Sequence, residues 1–362
     1  MSILERREKG SKMELPKIQS GVNNFRYSAA GSSDFVVPSV RQSWEEVKLK
    51  GDGCIEFCDA FPIVTLKDLK LCEKLGAGVS STVFRCVHLP SGKEFALKSL
   101  QYDDQVDKLK LVVAELHALH VLRHPNVVNL FSAFHQDKHI HILMSLVDGG
   151  SLNDFIKYCP SVPEDALGRI AWHALQGLLF LRKNHYLHRD LKPSNILISR
   201  QCEVMIADFG LARQLRDTRD MTTSFLGSLC YMSPERIHHE SYGLKSDVWS
   251  LGVIIYQCVL GRFPFGGPRV AFWDLTHTSQ EEVHIEVPSN YSREVTDFIS
   301  CCLQFNVENR HSVEQLITHS WVQRYNNTES DKALEEWIHL VERLRQEEKR
   351  KPVLSLQDIG IK

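Results

Sequence analysis

The stretch "HYLHRDLKPSNILI", residues 185–198, carries the side chains best suited to chemistry. A carboxylate at Asp190 can orient an incoming hydroxyl and accept its proton. Lys192 can offset charge on a phosphoryl group in transfer, and Asn195 can offer magnesium an oxygen. Asp208, 18 residues beyond Asp190, opens the triplet Asp208-Phe209-Gly210 and is a second hard oxygen ligand for the same ion. Two such motifs at this separation have few explanations other than phosphoryl transfer to a hydroxyl.

Upstream, "GAGVSSTV" spaces Gly76, Gly78, Ser81 and Val83 as G-x-G-x-x-S-x-V. Small residues let backbone N–H groups come close to phosphate oxygens. Alone the pattern is equally plain turn chemistry. Lys98 ends the apolar run "EFALK", and Glu115 follows 17 residues later in "VVAELHAL". An ion pair between them would hold the ammonium against nucleotide phosphates. Taken singly, the lysine would be a strand-end residue snorkelling to solvent.

These residues need elements to hold them. From Leu66, "LKDLKLCEKLG", "STVFRCVHL" and "KEFALKSLQ" alternate as strands, "QVDKLKLVVAELHALHVL" has helical spacing, and "VVNLFSAF" and "HIHILMSLV" read as two more strands. From Ser151 helices dominate: "LNDFIKYC", "EDALGRIAWHALQGLLFLRKNH", "SDVWSLGVIIYQCVLG", "REVTDFISCCLQ" and "VEQLITHSWV", with short strands within 196–206. A charged helix is predicted at about 331–349. Residues 1 to about 40 are polar and read as largely disordered.

The bulk properties agree. The chain has 362 residues, 43% hydrophobic and 24% charged, enough for one large bilobal unit. A formal net charge of −2 argues against nucleic acid as a partner. Ten cysteines occur without a CxxC pair, which removes zinc spacing and suits reduced, mostly buried thiols in the cytoplasm. None of the 17 histidines pairs with carboxylates at metal spacing in the sequence. The start "MSILERREKG" has no apolar signal segment, Ser2 stands where N-myristoylation requires glycine, and "LGVIIYQCVL" is too short to span a bilayer, so no membrane anchor is expected.

Residues 66 to about 323 resemble a eukaryotic protein kinase domain along its whole length, through the glycine loop, Lys98, Glu115, "HRDLKPSN", "DFG", "SPE", "DVWSLG" and Arg310 in "NVENRHS". The resemblance implies an α+β bilobal fold, with a small β-rich N-lobe carrying one helix, a larger, mainly helical C-lobe, and ATP with Mg2+ between them. It implies nucleotide contacts from Leu75, Gly76, Ala77, Gly78, Val79, Ser80, Ser81, Val83, Ala96, Lys98 and Glu115. Met144 would back the adenine pocket, and Ser145, Leu146 and Val147 would form the hinge whose backbone meets the base. Asn195 and Asp208 would be the metal ligands, with Asp190 and Lys192 catalytic. Glu235 and Arg310 would form a buried ion pair, and Asp247 would support the catalytic loop.

Three details are similar to MAP kinase kinases: "VDGGSL" after the hinge, Ser194 within "HRDLKPSN", and "SFLGSLCYMSPERI". The family implies phosphorylation of both Thr and Tyr in a MAP kinase activation loop. The alternatives are a Ser/Thr kinase at another tier of the cascade and a pseudokinase scaffold, the latter opposed by the presence of Lys98, Asp190, Asn195 and Asp208. Ser81 departs from the usual third glycine and Ser228 from the usual threonine, and no proline-rich insertion follows "GRFPFGG".

Between "DFG" and "SPE" lie Thr218, Thr222, Thr223, Ser224 and Ser228. The resemblance makes this an activation segment. Thr218 and Ser224, with five residues between them, match the S/T-x5-S/T spacing of plant-type members and are the expected phosphorylation sites for an upstream MAP kinase kinase kinase, with Thr222 the substitute for Thr218. Exposed loops are also rich in hydroxyls for solubility alone. Both ends carry a basic cluster before an apolar pair, Arg6, Arg7, Lys9 and Lys12 before Met13 and Leu15, and Lys349, Arg350 and Lys351 before Leu354 and Leu356. Similar motifs dock MAP kinases. The expected organisation is an extension over 1–65, a kinase domain over 66–323 and a C-terminal helix and tail over 324–362. That helix, with Leu334, Trp337, Ile338, Val341 and Leu344 at helical spacing, would pack on the large lobe or recruit the upstream kinase.

Overall fold

The computed structural model describes residues 64–78, 81–101, 116, 120, 122–136, 138–208, 230–238, 243–265 and 283–350. The first strands form one antiparallel sheet: β1 (Leu69–Ala77), β2 (Ser81–His88), β3 (Lys93–Gln101), β4 (Leu130–Gln136) and β5 (His139–Met144), in the order β1-β2-β3-β5-β4. Alternation along β2, β3 and β5 gives the sheet two faces. Leu97, Leu143, Cys86 and Phe134 bury one face with Val64 and Leu69. Lys98 lies on the other, aligned across the strands with Val83 and Ile142. Ala96 pairs with Met144 one step along that same face. The stretch from Leu66, read as strand throughout, opens instead with a 3-10 turn over Leu66–Asp68. There the Asp68 carboxylate accepts the Thr65 N–H and hydroxyl, both at 2.8 Å.

The second part is helical: α1 (Leu152–Tyr158), α2 (Glu164–Lys183), α3 (Pro234–Ile237), α4 (Lys245–Leu260), α5 (Arg293–Cys302), α6 (Val313–Ile317), α7 (Ser320–Arg324) and α8 (Thr328–Arg350). A two-stranded hairpin, β6 (Ile196–Ile198) and β7 (Val204–Ile206), lies between α2 and α3 in the chain. The capping box of Ser151 and Asp154 starts α1, and Gly261 ends α4 at φ 68°, where only glycine is unstrained. α2 is the central post. Its buried stripe of Leu167, Ile170, Ala174, Leu175 and Leu178 meets the other helices, and Gly168 has no Cβ because one would lie 2.1 Å from the Tyr325 ring.

The run "VEQLITHSWV" does not form the single helix its spacing predicts. It breaks between α6 and α7, where His319 is extended and its Nδ1 accepts the Trp321 N–H at 3.2 Å, capping α7 with a side chain. The predicted C-terminal helix is present as α8. Leu334, Trp337, Ile338 and Val341 are buried against α2 and α1, so its apolar stripe is spent on the large lobe. The eight described cysteines are all free thiols, and burial pushes Cys86 up to about 11 and Cys258 up to about 12.

Beneath the hairpin, the Asn126 amide donates to His173 Nδ1 at 2.8 Å and to the Val204 carbonyl at 2.9 Å. Burial, with Arg169 nearby, holds His173 down to about 4. An unfolded chain protonates this imidazole below its ordinary 6.5, and the folded chain refuses the proton until about 4. Its contribution to stability is therefore complete above pH 6.5 and falls as the pH drops, by about 2 kcal/mol at pH 5. Thermal melts of the wild type and His173→Gln at pH 7 and pH 5 check this: the variant should lose less melting temperature across that interval.

Candidate active site

The site is built where the sheet, the hinge and the hairpin meet. β1 and β2 are joined by a turn closed by the Gly78 N–H on the Ser81 carbonyl at 2.7 Å, with Gly76 opposite Val83 and Ala77 opposite Thr82. Val79 and Ser80 at its tip lie outside the described residues. Leu75 in β1 is half exposed. From β5 the chain leaves through Ser145, Leu146 and Val147. The Ser145 N–H donates to the Asn129 carbonyl at 2.9 Å, and the Asn129 N–H donates back to the Ser145 hydroxyl at 3.3 Å.

Lys98 is 6% exposed, and its ammonium lies 2.5 Å from the Asp208 carboxylate. The partner assigned from the sequence, Glu115, lies outside the described residues. Burial alone would raise the Asp208 carboxyl, but the Lys98 charge and hydrogen bond, with Lys192 beyond, hold it below the ordinary carboxylate range. Asp208 has φ 62°, a left-handed backbone that few non-glycine residues adopt.

The loop between α2 and β6 brings the remaining groups together. The Lys192 ammonium lies 2.8 Å from Asp190 Oδ2, and the Asn195 amide donates to the Asp190 carbonyl at 2.7 Å and to Oδ2 at 3.3 Å. With its NH2 group so engaged, Asn195 has its carbonyl oxygen to offer to a cation. The two loops are laced together. The Ala207 N–H donates to the Asn195 carbonyl at 2.8 Å, and His188 Nε2 donates to the Ala207 carbonyl at 2.8 Å. His188 Nδ1 accepts the Asp190 N–H at 3.3 Å, so both nitrogens of this fully buried ring are engaged. His188 received no role from the sequence; its place two residues before Asp190 was the available signal.

Asp247, near the start of α4, accepts the His188 N–H at 2.8 Å and the Arg189 N–H at 2.9 Å. Arg189 has φ 68°, and its carbonyl accepts from the Arg236 guanidinium at 2.7 Å. The Glu235–Arg310 pair is present and buried, at 2.9 and 3.0 Å, with Ser246 as a third partner at 2.7 Å. Arg310 keeps the Glu235 carboxyl low against the effect of burial. The sequence did not point to Ser246 or Arg236.

Sequence spacing offered no histidine beside carboxylates for a metal, and one such grouping forms only in space. Among the described residues, Asp297, Cys301 and His319 bring potential ligand atoms within 4.8 Å of one another. They were missed because α5 and the 318–319 break are adjacent only in space. The cluster is ill suited to an ion. His319 Nδ1 is an acceptor for the α7 cap, which leaves the proton on Nε2, 3.1 Å from Asp297.

Comparison with known proteins agrees with this geometry. The family model "Protein kinase domain" matches residues 69–322. Mitogen-activated protein kinase kinase 2 of Arabidopsis thaliana is 36% identical over 270 residues, 73% of this chain and 74% of that protein. Mitogen-activated protein kinase kinase 1 of the same plant is 34% identical over 327 residues, 88% of this chain and 92% of its own length. The dual specificity mitogen-activated protein kinase kinase dSOR1 of Drosophila melanogaster is 32% identical over 291 residues, 73% of each. No described helix is long and apolar enough to cross a membrane.

Replacing Asp247 by Ala should take the acceptor from the buried His188 N–H, at about 1–3 kcal/mol, and from the partly buried Arg189 N–H, at less. Phosphoryl transfer should then fall at least tenfold while nucleotide affinity changes little, because Lys98 and the hinge are not touched. Steady-state kinetics beside a nucleotide titration would measure both. With this sheet, this cleft and these relatives, the chain belongs to the protein kinase family and, within it, to the mitogen-activated protein kinase kinases.

Proposed function

We propose that this chain is an ATP- and magnesium-dependent kinase that phosphorylates Thr and Tyr in the activation loop of a MAP kinase. The observation that carries this reading is the convergence of Asp190, Lys192 and Asn195 with the Lys98–Asp208 pair at the foot of the hinge. The donor set fits metal-bound ATP: a buried ammonium for phosphate oxygens, and a carboxylate with an amide carbonyl for a hard cation. Magnesium, when held by Asn195 and Asp208, would neutralise charge on the phosphates. The rest falls to the chain. Gly76–Val83 cover the phosphates, Ala96 and Met144 bound the base pocket, and the backbone of Ser145–Val147 meets the base. Asp190 takes the proton of the incoming hydroxyl, and Lys192, already 2.8 Å from Asp190 Oδ2, turns to the transferring group. Lys98 and Asp208 neutralise each other at 2.5 Å, so loading metal-bound nucleotide exchanges one ion pair for two new counter-charges rather than exposing either group unpaired.

Regulation falls on residues outside the described ones, Thr218 and Ser224, with Thr222 as substitute. A phosphate there adds about −1.5 to −2 charges. Moving a switch from about 1:99 to 99:1 needs about 5.5 kcal/mol. One charge-assisted hydrogen bond contributes about 1.5–3 kcal/mol, so two phosphates with two or three such bonds suffice. Arg189 is a suitable receiver. Its N–H and carbonyl are both fixed, so a force on its side chain reaches Asp190 directly. The upstream enzyme is a MAP kinase kinase kinase, the location is cytoplasmic, and the basic-apolar segments near Met13 and Leu354 dock the substrate.

A panel of inactive MAP kinases, incubated with the activated chain and mapped by mass spectrometry, should gain phosphate on both Thr and Tyr. Phosphate on Ser or Thr alone would move the chain to another tier of the cascade. Lys98→Met and Asp190→Asn should each lower transfer at least a hundredfold, and activity surviving both would sink the catalytic assignment. Thr218→Ala with Ser224→Ala should abolish the rise in activity on treatment with the upstream kinase.

A further inference from the structure

The turn that follows the hinge, Asp148-Gly149-Gly150, is gripped from two sides. On one side is the β6–β7 hairpin. The Ile198 N–H donates to the Gly150 carbonyl at 2.9 Å, and the Arg200 N–H donates to the Asp148 carboxylate at 3.0 Å. A Cβ on Gly149 would stand 2.3 Å from the Ile198 carbonyl oxygen, so the turn reaches the hairpin only because that residue is glycine.

On the other side is α8, which lies beyond the residues matched by the kinase family model. The Arg345 guanidinium donates to the Gly149 carbonyl at 2.8 Å. The same guanidinium lies over the Phe155 ring at 4.5 Å and the Tyr158 ring at 5.6 Å, both on α1. One turn earlier, Glu342 accepts from Arg200 Nε at 2.6 Å, the residue whose N–H holds Asp148. Trp337 packs on Phe155 at 5.2 Å. α8 thus holds α1 at Phe155 and Tyr158, and with it the turn that feeds it.

Gly149 is buried, so without Arg345 its carbonyl would face the interior with no donor in place of a charged one. The hinge itself is three residues, Ser145 to Val147. Its upstream end is fixed to the sheet by the reciprocal bonds with Asn129. Its downstream end is this turn. Three residues strung between two anchors present their backbone donors and acceptors where both anchors dictate.

We propose that Arg345 is a positioning residue for nucleotide binding: through the Gly149 carbonyl and the α1 rings, the C-terminal helix sets the geometry of the hinge. This rests on the reading above that residues 145–147 meet the nucleotide base. A partner that lifts α8 from the lobe would weaken nucleotide binding, and bound nucleotide would hold α8 down by the same factor.

The full chain is titrated with a fluorescent ATP analogue and Mg2+ as wild type, Arg345→Met and Arg345→Lys. Arg345→Met keeps the stem and loses the donor and the planar charge. Its Kd should rise about five- to tenfold, towards the low end of coupling between linked sites. Its melting temperature should fall by less than about 5 °C, the scale being about 2–4 °C per kcal/mol in a domain of 150–250 residues. Arg345→Lys, which retains a donor for Gly149 but not the planar stack, should fall between the two. In phosphoryl transfer the loss should appear in KM for ATP, with kcat within about twofold. Unchanged affinity in Arg345→Met overturns the proposal. So does weaker binding accompanied by a fall in melting temperature of more than about 5 °C, which would mark a role in folding only. A wild-type chain that binds no nucleotide overturns the nucleotide reading itself, a result distinct from either.

Discussion

A buried carboxylate holds the loop of Asp190 to the core of the helical part. Asp247 is 4% exposed, within a helix whose neighbours Val248, Trp249, Leu251 and Val253 are fully or almost fully buried. Its two oxygens take the N–H groups of His188 and Arg189. Those two donors fix the turn at Arg189 in a left-handed backbone, which costs about 1–3 kcal/mol for a residue with a side chain. The strain is tolerated because the anchor belongs to the most deeply packed helix of the large lobe. From that turn the rest follows outward: Asp190 is the next residue, His188 reaches the Ala207 carbonyl, and Ala207 carries Asp208.

A second strained backbone sits at Asp208, and the pairing logic there differs. The backbone of Arg189 is held by Asp247 and Arg236 of the helical part, whereas Asp208 is bound across the cleft to Lys98. The sheet places Lys98 by register, with Val83 on one side and Ile142 on the other. One ion pair therefore ties the small sheet to the loops of the helical part. Its Asp208 end is more than a third exposed, which keeps it within reach of competing charges. The Glu235–Arg310 pair is the opposite case. Both ends are almost fully buried and Ser246 takes a further position on the carboxylate, so its role is to fix one packing arrangement rather than to exchange partners.

The sequence was legible where a motif sits within one local segment and opaque where partners come from distant ones. Asp190, Lys192 and Asn195 lie within six residues, and their mutual bonds follow from a single turn. The strands themselves, the helical second part and the apolar stripe of α8 were equally readable, because alternation and 3.6-residue spacing are local signals, whereas the order of the strands in the sheet was not. His188, Ser246 and Arg236 were not, since each acts through a contact whose partner lies between 11 and 47 residues away. Spacing also failed at Thr318-His319, where a side-chain cap outweighed a continuous apolar pattern. Lys98 shows a different limit. Its residue type and place were legible, but an ammonium in a cleft can answer more than one carboxylate, and the sequence does not rank them.

The hinge gathers these constraints in one place. A kinase cleft needs lobes that can move relative to each other, yet its base-binding segment must keep a fixed set of backbone donors. In this chain the two needs fall on different stretches. Ser145 is bonded to Asn129 of the small lobe, and Gly149 and Gly150 are bonded to the hairpin and to α8 of the large lobe. Freedom is left to the residues between, Leu146 and Val147, which are only partly buried. The two glycines serve opposite ends: Gly149 permits close approach to Ile198, and Gly150, at φ 100°, turns the chain into the cap of α1. A larger residue at either would force a choice between the hairpin contact and the helix start. The stretch between these two anchored ends is thus about two residues long, and α8 supplies one of the anchors.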